Sequence, residues 1–443
     1  MLLKQLIKLA IPIVIANILH TAYQITDTFW VGRLGANAVA SVSLGFPIIF
    51  LLISLGGGMA VAGTILVAQY KGKKDYKNLN FMAGQTFFMM FVVAIILTIV
   101  GYFLSPVIVN LMTSDPLIAP DAIAYLRITF MGLIFPFIFY VFQSLMRGVG
   151  DVKIPMLIVL GTVILNLFLD PLFIINYNLG VSGAAIATII TEALAALIGI
   201  LILFNGKYGI RLKFSDIKPN FNIVKKIFKL GLPSSMDQTT RSLAMTVMIF
   251  IVTGFGTAVT AAYGIGGRIL SFIIIPAFGI SMATSTLVGQ NMGRKDIKKA
   301  KEVARLGMIL GFLFLQTLAI LIFIFAVPLA TFFVPGETEV IAIAANFIRV
   351  MSFTMGFAGI HIVMVGTLVG AGDTVAPMIL TIISLWVFRI PLAYFLSKTN
   401  LSYEGIWWAF PIANVLGLLV AYIWYRRGTW QKKEITKHIS ISE

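Results

Sequence analysis

The sequence predicts an all-α polytopic membrane protein: twelve transmembrane helices in two pseudo-symmetric six-helix lobes. Three observations carry this. Of 443 residues, 59% are hydrophobic and only 11% are charged, a balance outside that of ordinary soluble domains. Apolar runs of about 20 residues recur along nearly the whole chain, the length that crosses roughly 30 Å of hydrocarbon. The chain also repeats itself. KLAIP at 8–12 returns as KLGLP at 229–233, and VAQYKGKKD at 67–75 returns as VGQNMGRKD at 288–296, both at an offset of 221. GVGDVKIPM at 148–156 returns as GAGDTVAPM at 370–378, and Arg127 returns as Arg349, both at an offset of 222. Parallel repeats of this kind are related by an axis along the membrane normal.

The spans are expected at 9–31, 37–68, 82–105, 122–146, 154–175 and 181–204, then at 223–253, 257–287, 304–332, 339–368, 375–397 and 404–425. The first run is too long for the apolar core of a signal peptide, contains Pro12 and lacks a small-residue cleavage site, so it reads as a retained helix. In the second span, GGGMAVAG at 56–63 reads as a close-packing helix surface and not as a ligand loop. A linker at 205–222, with Gly206, Gly209 and Pro219, separates an N-terminal lobe (1–204) from a C-terminal lobe with its cytoplasmic tail (223–443).

A net charge of +16 raises the possibility of a nucleic-acid partner, but its distribution argues against one. With the N-terminus inside, 26 of the 33 Lys and Arg fall on the inner side and only Arg33 and Lys398 fall outside. That asymmetry is the positive-inside rule, which places both termini in the cytoplasm of a multi-pass plasma-membrane protein. The absence of cysteine excludes disulfides, thiolate chemistry and cysteine metal sites. GVGD and GAGD look like fragments of a Gly-rich nucleotide loop, but no strand precedes them. A GxGD also occurs in intramembrane aspartyl proteases. Both copies, however, fall at cytoplasmic turns, with Pro155 and Pro377 following at the same distance.

Four acids lie inside spans: Asp27, Asp170, Glu192 and Asp237. A carboxylate at mid-membrane costs about 2.5–3.5 kcal/mol on insertion scales, so each asks for a partner, a wet cavity or a proton. In the first span Asn17, His20, Thr21, Gln24, Asp27 and Thr28 form one polar stripe on an otherwise apolar helix. The fifth span carries Thr162, Asn166 and Asp170 at i, i+4, i+8, and the sixth carries Thr188, Thr191 and Glu192. Counted at 1.5 Å per residue from the outer ends, Asp27, Asp170 and Thr188 lie at a similar depth. Carboxylate and hydroxyl oxygens at one level suit Na⁺ or a proton.

The twelve spans, the VAQYKGKKD/VGQNMGRKD pair and the RGVGDVKIPM/VGAGDTVAPM pair together resemble the multidrug and toxic compound extrusion (MATE) transporters over essentially the whole chain, most nearly their DinF-like branch. The resemblance implies a coupling site for H⁺ or Na⁺ at Asp27, Asn166, Asp170 and Thr188, with Tyr23 beside it and Pro12 as a bending point. Asn17, His20 and Gln24 would face the substrate cavity. The sequence departs from the NorM-like branch, whose C-lobe carries acidic ligands in the seventh and tenth helices. Here Arg241 and His361 stand instead. Asp237 and Arg241, one turn apart, either pair with each other or, with Glu192, form a secondary polar site. Arg127 and Arg349 are expected to snorkel.

The implied activity is that of a monomeric secondary antiporter without a cofactor, exporting organic compounds, cationic or amphipathic, against H⁺ or Na⁺ by alternating access. The 19 Met and 35 Phe suit either an adaptable cavity or lipid-facing filler. A flippase for lipid-linked oligosaccharides or lipids and an intramembrane aspartyl protease are the alternatives, with an ion channel behind them.

Overall fold

Every expected span is helical, and local sequence explains where helices begin and end. A computed structural model describes residues 1–113, 115–433 and 435–437; the end of the expected tail, 438–443, lies outside the described residues. The first half comprises α1 (Leu2–Gly32), α2 (Ala36–Lys73), α3 (Tyr76–Met112), α4 (Ala119–Gly132), α5 (Ile134–Val149), α6 (Lys153–Pro171) and α7 (Gly180–Asn205). The short α8 (Phe214–Ile217) lies in the linker. Then come α9 (Phe221–Thr253), α10 (Thr257–Gly293), α11 (Ile297–Ile324), α12 (Ala326–Phe333), α13 (Thr338–Ser352) and α14 (Met355–Ala371). The last are α15 (Val375–Ile382), α16 (Ile390–Ser397) and α17 (Tyr403–Arg426). Wide π-turns follow α6 at Leu172–Asn176 and join α15 to α16 at Ile383–Arg389.

Nine helical stretches are long and apolar enough to cross a membrane, and two bent pairs raise the number to eleven among the described residues. The twelfth expected span falls on α9. Its 33 residues are long enough, but Asp237, Gln238, Thr239, Thr240 and Arg241, with Lys225, Lys226 and Lys229, hold its apolarity down. The bent pairs are α4–α5 (46°) and α13–α14 (56°), and each bend has a local cause. Pro136, in the first turn of α5, has no N–H for the Gly132 carbonyl four residues back. At the other break the side chain of Gln316 accepts from the Gly356 N–H at 3.2 Å, replacing a backbone acceptor.

The repeated motifs turn out to be repeated helix ends. Gly150 (φ 89°) and Gly372 (φ 92°) are left-handed, and the next residues, Asp151 and Asp373, donate their N–H to Met146 O and Leu368 O, each at 2.9 Å. That is the Schellman pattern, so GxGD here terminates α5 and α14. Lys74 (φ 61°) and Lys295 (φ 60°) make the same reversal after α2 and α10. Asp75 and Asp296 then cap α3 and α11, accepting from Asn78 N and Lys299 N at 3.1 Å. The Lys299 N–H also holds the Asp296 carboxyl below the usual carboxylate range.

The chain forms two compact units, one of Met1–Val14 and Met236–Ile435, the other of Ile15–Ser235 with the short segment from Thr436. The divisions fall inside α1 and α9, two residues after Pro12 and Pro233. Within the second of these units α9 approaches α2 so closely that a Cβ at Gly58 would lie 2.3 Å from the Ser235 backbone. Within the first, a Cβ at Gly279 of α10 would lie 2.4 Å from the Val14 side chain of α1. Both pairs, Gly58 with Gly279 and Val14 with Ser235, keep the 221 offset.

In the unit containing α10 to α17, the core is aromatic. The Trp407 and Phe347 ring centres are 4.5 Å apart, Tyr263 stacks on Trp407 at 6.0 Å, and Trp407 is fully buried. Large apolar side chains also cover the outside, with Phe103 71%, Leu111 83% and Phe332 82% exposed, as a lipid-facing surface requires. Arg127 and Arg349 do not simply reach outward. Their guanidiniums sit over Tyr102 (5.1 Å) and Phe323 (5.9 Å), rings that are themselves 221 residues apart. The linker is pinned by Gln85, which donates to Asp216 O (2.8 Å) and Lys218 O (2.7 Å) and accepts from Asn220 N (2.8 Å).

Candidate functional site

Within the Ile15–Ser235 unit, α1, α2, α4, α5, α6 and α7 enclose a cavity of about 410 Å³. The polar stripe of α1 supplies His20, Tyr23, Gln24 and Asp27 to its wall. Thr162 comes from α6, and Thr188, Thr191 and Glu192 come from α7. The remaining wall is mostly apolar or aromatic, including Phe46, Phe50, Phe137 and Phe139 but no methionine. Of the two sulfur- and ring-rich residue types singled out by composition, only phenylalanine reaches this cavity.

Asp27 stands between the cavity and a buried layer behind it. Thr188 Oγ1 donates to Asp27 Oδ2 at 3.4 Å, tying α7 to α1. On the far side, the Asp170 carboxyl and the Asn166 amide of α6 act on Asp27. Those two are fully buried, and Asn166 Nδ2 donates to Asp170 Oδ1 at 2.9 Å. Three oxygens of this cluster, Asp27 Oδ1, Asp170 Oδ2 and Asn166 Oδ1, are buried without a hydrogen-bond partner. All three are acceptors. Two facing carboxylates repel unless a proton or cation lies between them, and buried acceptors demand such a partner. The donor set, carboxylate, amide and hydroxyl oxygen, is hard and suits Na⁺ or H⁺.

The other expected residues divide clearly. Tyr23 reaches the opposite wall, its hydroxyl 2.8 Å from Thr191 Oγ1. Glu192 lines the cavity and acts electrostatically on Asp27. Asn17 is not among the lining residues; its backbone carbonyl accepts from Thr21 Oγ1 at 3.1 Å. Pro12 lies in the part of α1 that belongs to the other unit. Asp237 and Arg241, also in that unit, pair with each other at 3.1 Å.

Some wall residues were not singled out from the sequence. Tyr125, Thr129 and Tyr140 bring three hydroxyls to the cavity from α4 and α5. Tyr125 fits against α2 because Gly45 has no side chain; a Cβ there would lie 3.1 Å from its ring. An aromatic residue on an apolar helix carries no periodic signal separating a cavity wall from packing.

Multi-pass helical bundles with an acid-lined internal cavity occur among membrane transporters. The family model described as MatE matches residues 12–172 and 233–395, and the chain belongs to that family, the MATE transporters. It is 28% identical over 438 residues to "Probable multidrug resistance protein YoeA" of Bacillus subtilis, covering 97% of this chain and 94% of the relative. It is 29% identical to "Probable multidrug resistance protein NorM" of Thermotoga maritima, covering 99% and 96%. A solved outward-facing multidrug resistance MATE transporter of the MOP superfamily superposes with a TM-score of 0.92 at 25% identity, covering 98% and 97%.

Proposed function

We propose that the chain is a secondary active antiporter of the DinF-like branch that exports organic compounds, cationic or amphipathic, in exchange for H⁺ or Na⁺. The observation that carries this reading is the set of unpartnered oxygens on Asp27, Asn166 and Asp170, directly behind the wall of an organic-sized cavity. The names of the relatives, multidrug resistance proteins, support the substrate class.

In this reading the coupling ion is cargo. It enters from outside and neutralises the Asp27–Asp170 pair, with Asn166 and Thr188 completing its oxygen shell. Neutralisation removes the repulsion that holds α1 in place, and the helix repacks with Pro12 as its bending point. Ligand held along His20, Tyr23 and Gln24 then leaves outward. An ion drives such a change only through its different affinity for two states, and a carboxylate pair that closes only around a cation supplies that difference. The transporting entity is a monomer in the plasma membrane with both termini cytoplasmic. Its functional lobes are 1–204 and 223–443, joined by the linker at 205–222.

The test is drug resistance in cells expressing Asp27→Asn. The variant should insert and fold but confer no resistance; full resistance would refute the reading. The flippase alternative predicts lipid translocation that does not depend on Asp27.

A further inference from the structure

The unit containing α10 to α17 holds a second polar centre, and its charge is reversed. Arg241 on α9 pairs with Asp237 and also donates from Nη2 to Thr381 Oγ1 at 2.6 Å. Arg389 lies in the π-turn between α15 and α16, a wide turn of the kind that recurs at functional sites. Its Nη2 donates to Asn414 Oδ1 at 2.9 Å, and its guanidinium packs over Phe410 at 4.7 Å. His361 on α14 is within electrostatic range of both arginines.

Two observations say that this centre lacks a partner. Arg389 Nε and His361 Nε2 are both buried without a hydrogen bond. Among the described residues, the ion pairs include none that neutralises Arg389. An arginine donor left open in a membrane is costly, and the fork of a guanidinium matches a carboxylate or phosphate. Arg241, His361 and Arg389 each keep part of their surface exposed, although the open Arg389 Nε and His361 Nε2 are themselves covered.

The internal repeat sharpens the contrast. At the 222 offset Glu192 corresponds to Asn414 and Thr188 to Phe410; at 221, His20 corresponds to Arg241. Positions that present an acid, a hydroxyl and an imidazole in one half present an amide, a ring and a guanidinium in the other. We infer that the Arg241–His361–Arg389–Asn414 cluster is a binding site for the carboxylate or phosphate group of an amphipathic organic anion. Phe410 is buried beneath the Arg389 guanidinium, with Tyr263 beyond it (ring centres 6.4 Å apart), and this aromatic floor holds the guanidinium in place for the anionic group. The site does not depend on the ion-coupling reading of Asp27.

The test uses the full chain in phosphatidylcholine nanodiscs, with dansylglycine as an aromatic carboxylate and dansylamide as its uncharged counterpart. Dansylglycine should bind saturably and at least tenfold more tightly than dansylamide. Arg389→Gln, and independently the near-isosteric Asn414→Asp, which offers Arg389 a resident carboxylate, should each weaken dansylglycine at least tenfold and leave dansylamide unchanged. Elution as a single species and an unchanged melting temperature establish that each variant is folded, and either one suffices. Displacement of dansylglycine by a few per cent phosphatidic acid in the disc assigns the site to a lipid phosphate; its retention assigns the site to soluble anions. Equal binding of the two probes, or undiminished dansylglycine binding in a folded variant, overturns the proposal.

Discussion

Thr188 Oγ1 donates to Asp27 Oδ2 at 3.4 Å, a long and weak hydrogen bond that leaves the carboxylate oxygens open to a cation. Thr188→Val keeps the shape and removes the donor. Losing the hydroxyl oxygen as a ligand, at about 1 kcal/mol, should raise the half-saturating Na⁺ concentration about fivefold, whereas losing a donor to the carboxylate should lower that for H⁺. Thr188→Ser should stay near wild type. Ion titration of transport in proteoliposomes reads both values; equal half-saturation in Thr188→Val and wild type would remove Thr188 from the site.

The paired close approaches on α2 and α10 predict an asymmetry. A methyl at Gly58 meets the Ser235 backbone, which has little room to yield, whereas one at Gly279 meets the end of the Val14 side chain. Overpacking of this kind costs about 1–3 kcal/mol, and Gly58→Ala should sit at the higher end. Its melting temperature in detergent should fall clearly below that of Gly279→Ala. The opposite order would show that the α9 segment slides away freely.

The acidic half of the site was legible because charge in an apolar span is rare and each acid lay on a stripe at helical spacing. Asp27, Asp170 and Thr188, expected at one depth, lie together, with Asn166 bonded to Asp170 one turn along α6. What stayed hidden has physical reasons. Tyr125 and Tyr140 look like core from sequence. Arg389 counts as one intramembrane arginine among several until the π-turn shows where it points. The change of unit inside α1 and α9 leaves no mark beyond Pro12 and Pro233, because the helices run on through it. The span at 223–253 was expected from the sequence, although α9 is too polar to stand out by apolar length alone.

Gln85 holds the linker through three hydrogen bonds, so Gln85→Leu leaves two backbone carbonyls and one N–H without their partner. Trypsin should then cut faster at Lys213, with transport little changed. Cleavage at the wild-type rate would mean that the linker is held by other contacts.

The arginine–ring pairs should be worth their aromatic faces and little else. Tyr102→Phe keeps the face under Arg127 and should melt with the wild type. Tyr102→Leu should lose about 0.5–1 kcal/mol, read as a lower melting temperature. Identical melting of the two variants would leave Arg127 to solvation at the interface.

The sharpest measurement is ethidium efflux from proteoliposomes under an imposed Na⁺ or H⁺ gradient, comparing wild type with Asp27→Asn and Asp170→Asn. Efflux driven by one of the two gradients in the wild type, and flat in both folded variants, is the predicted result. Gradient-driven efflux that survives the loss of either carboxyl would contradict the claim that the pair carries the ion.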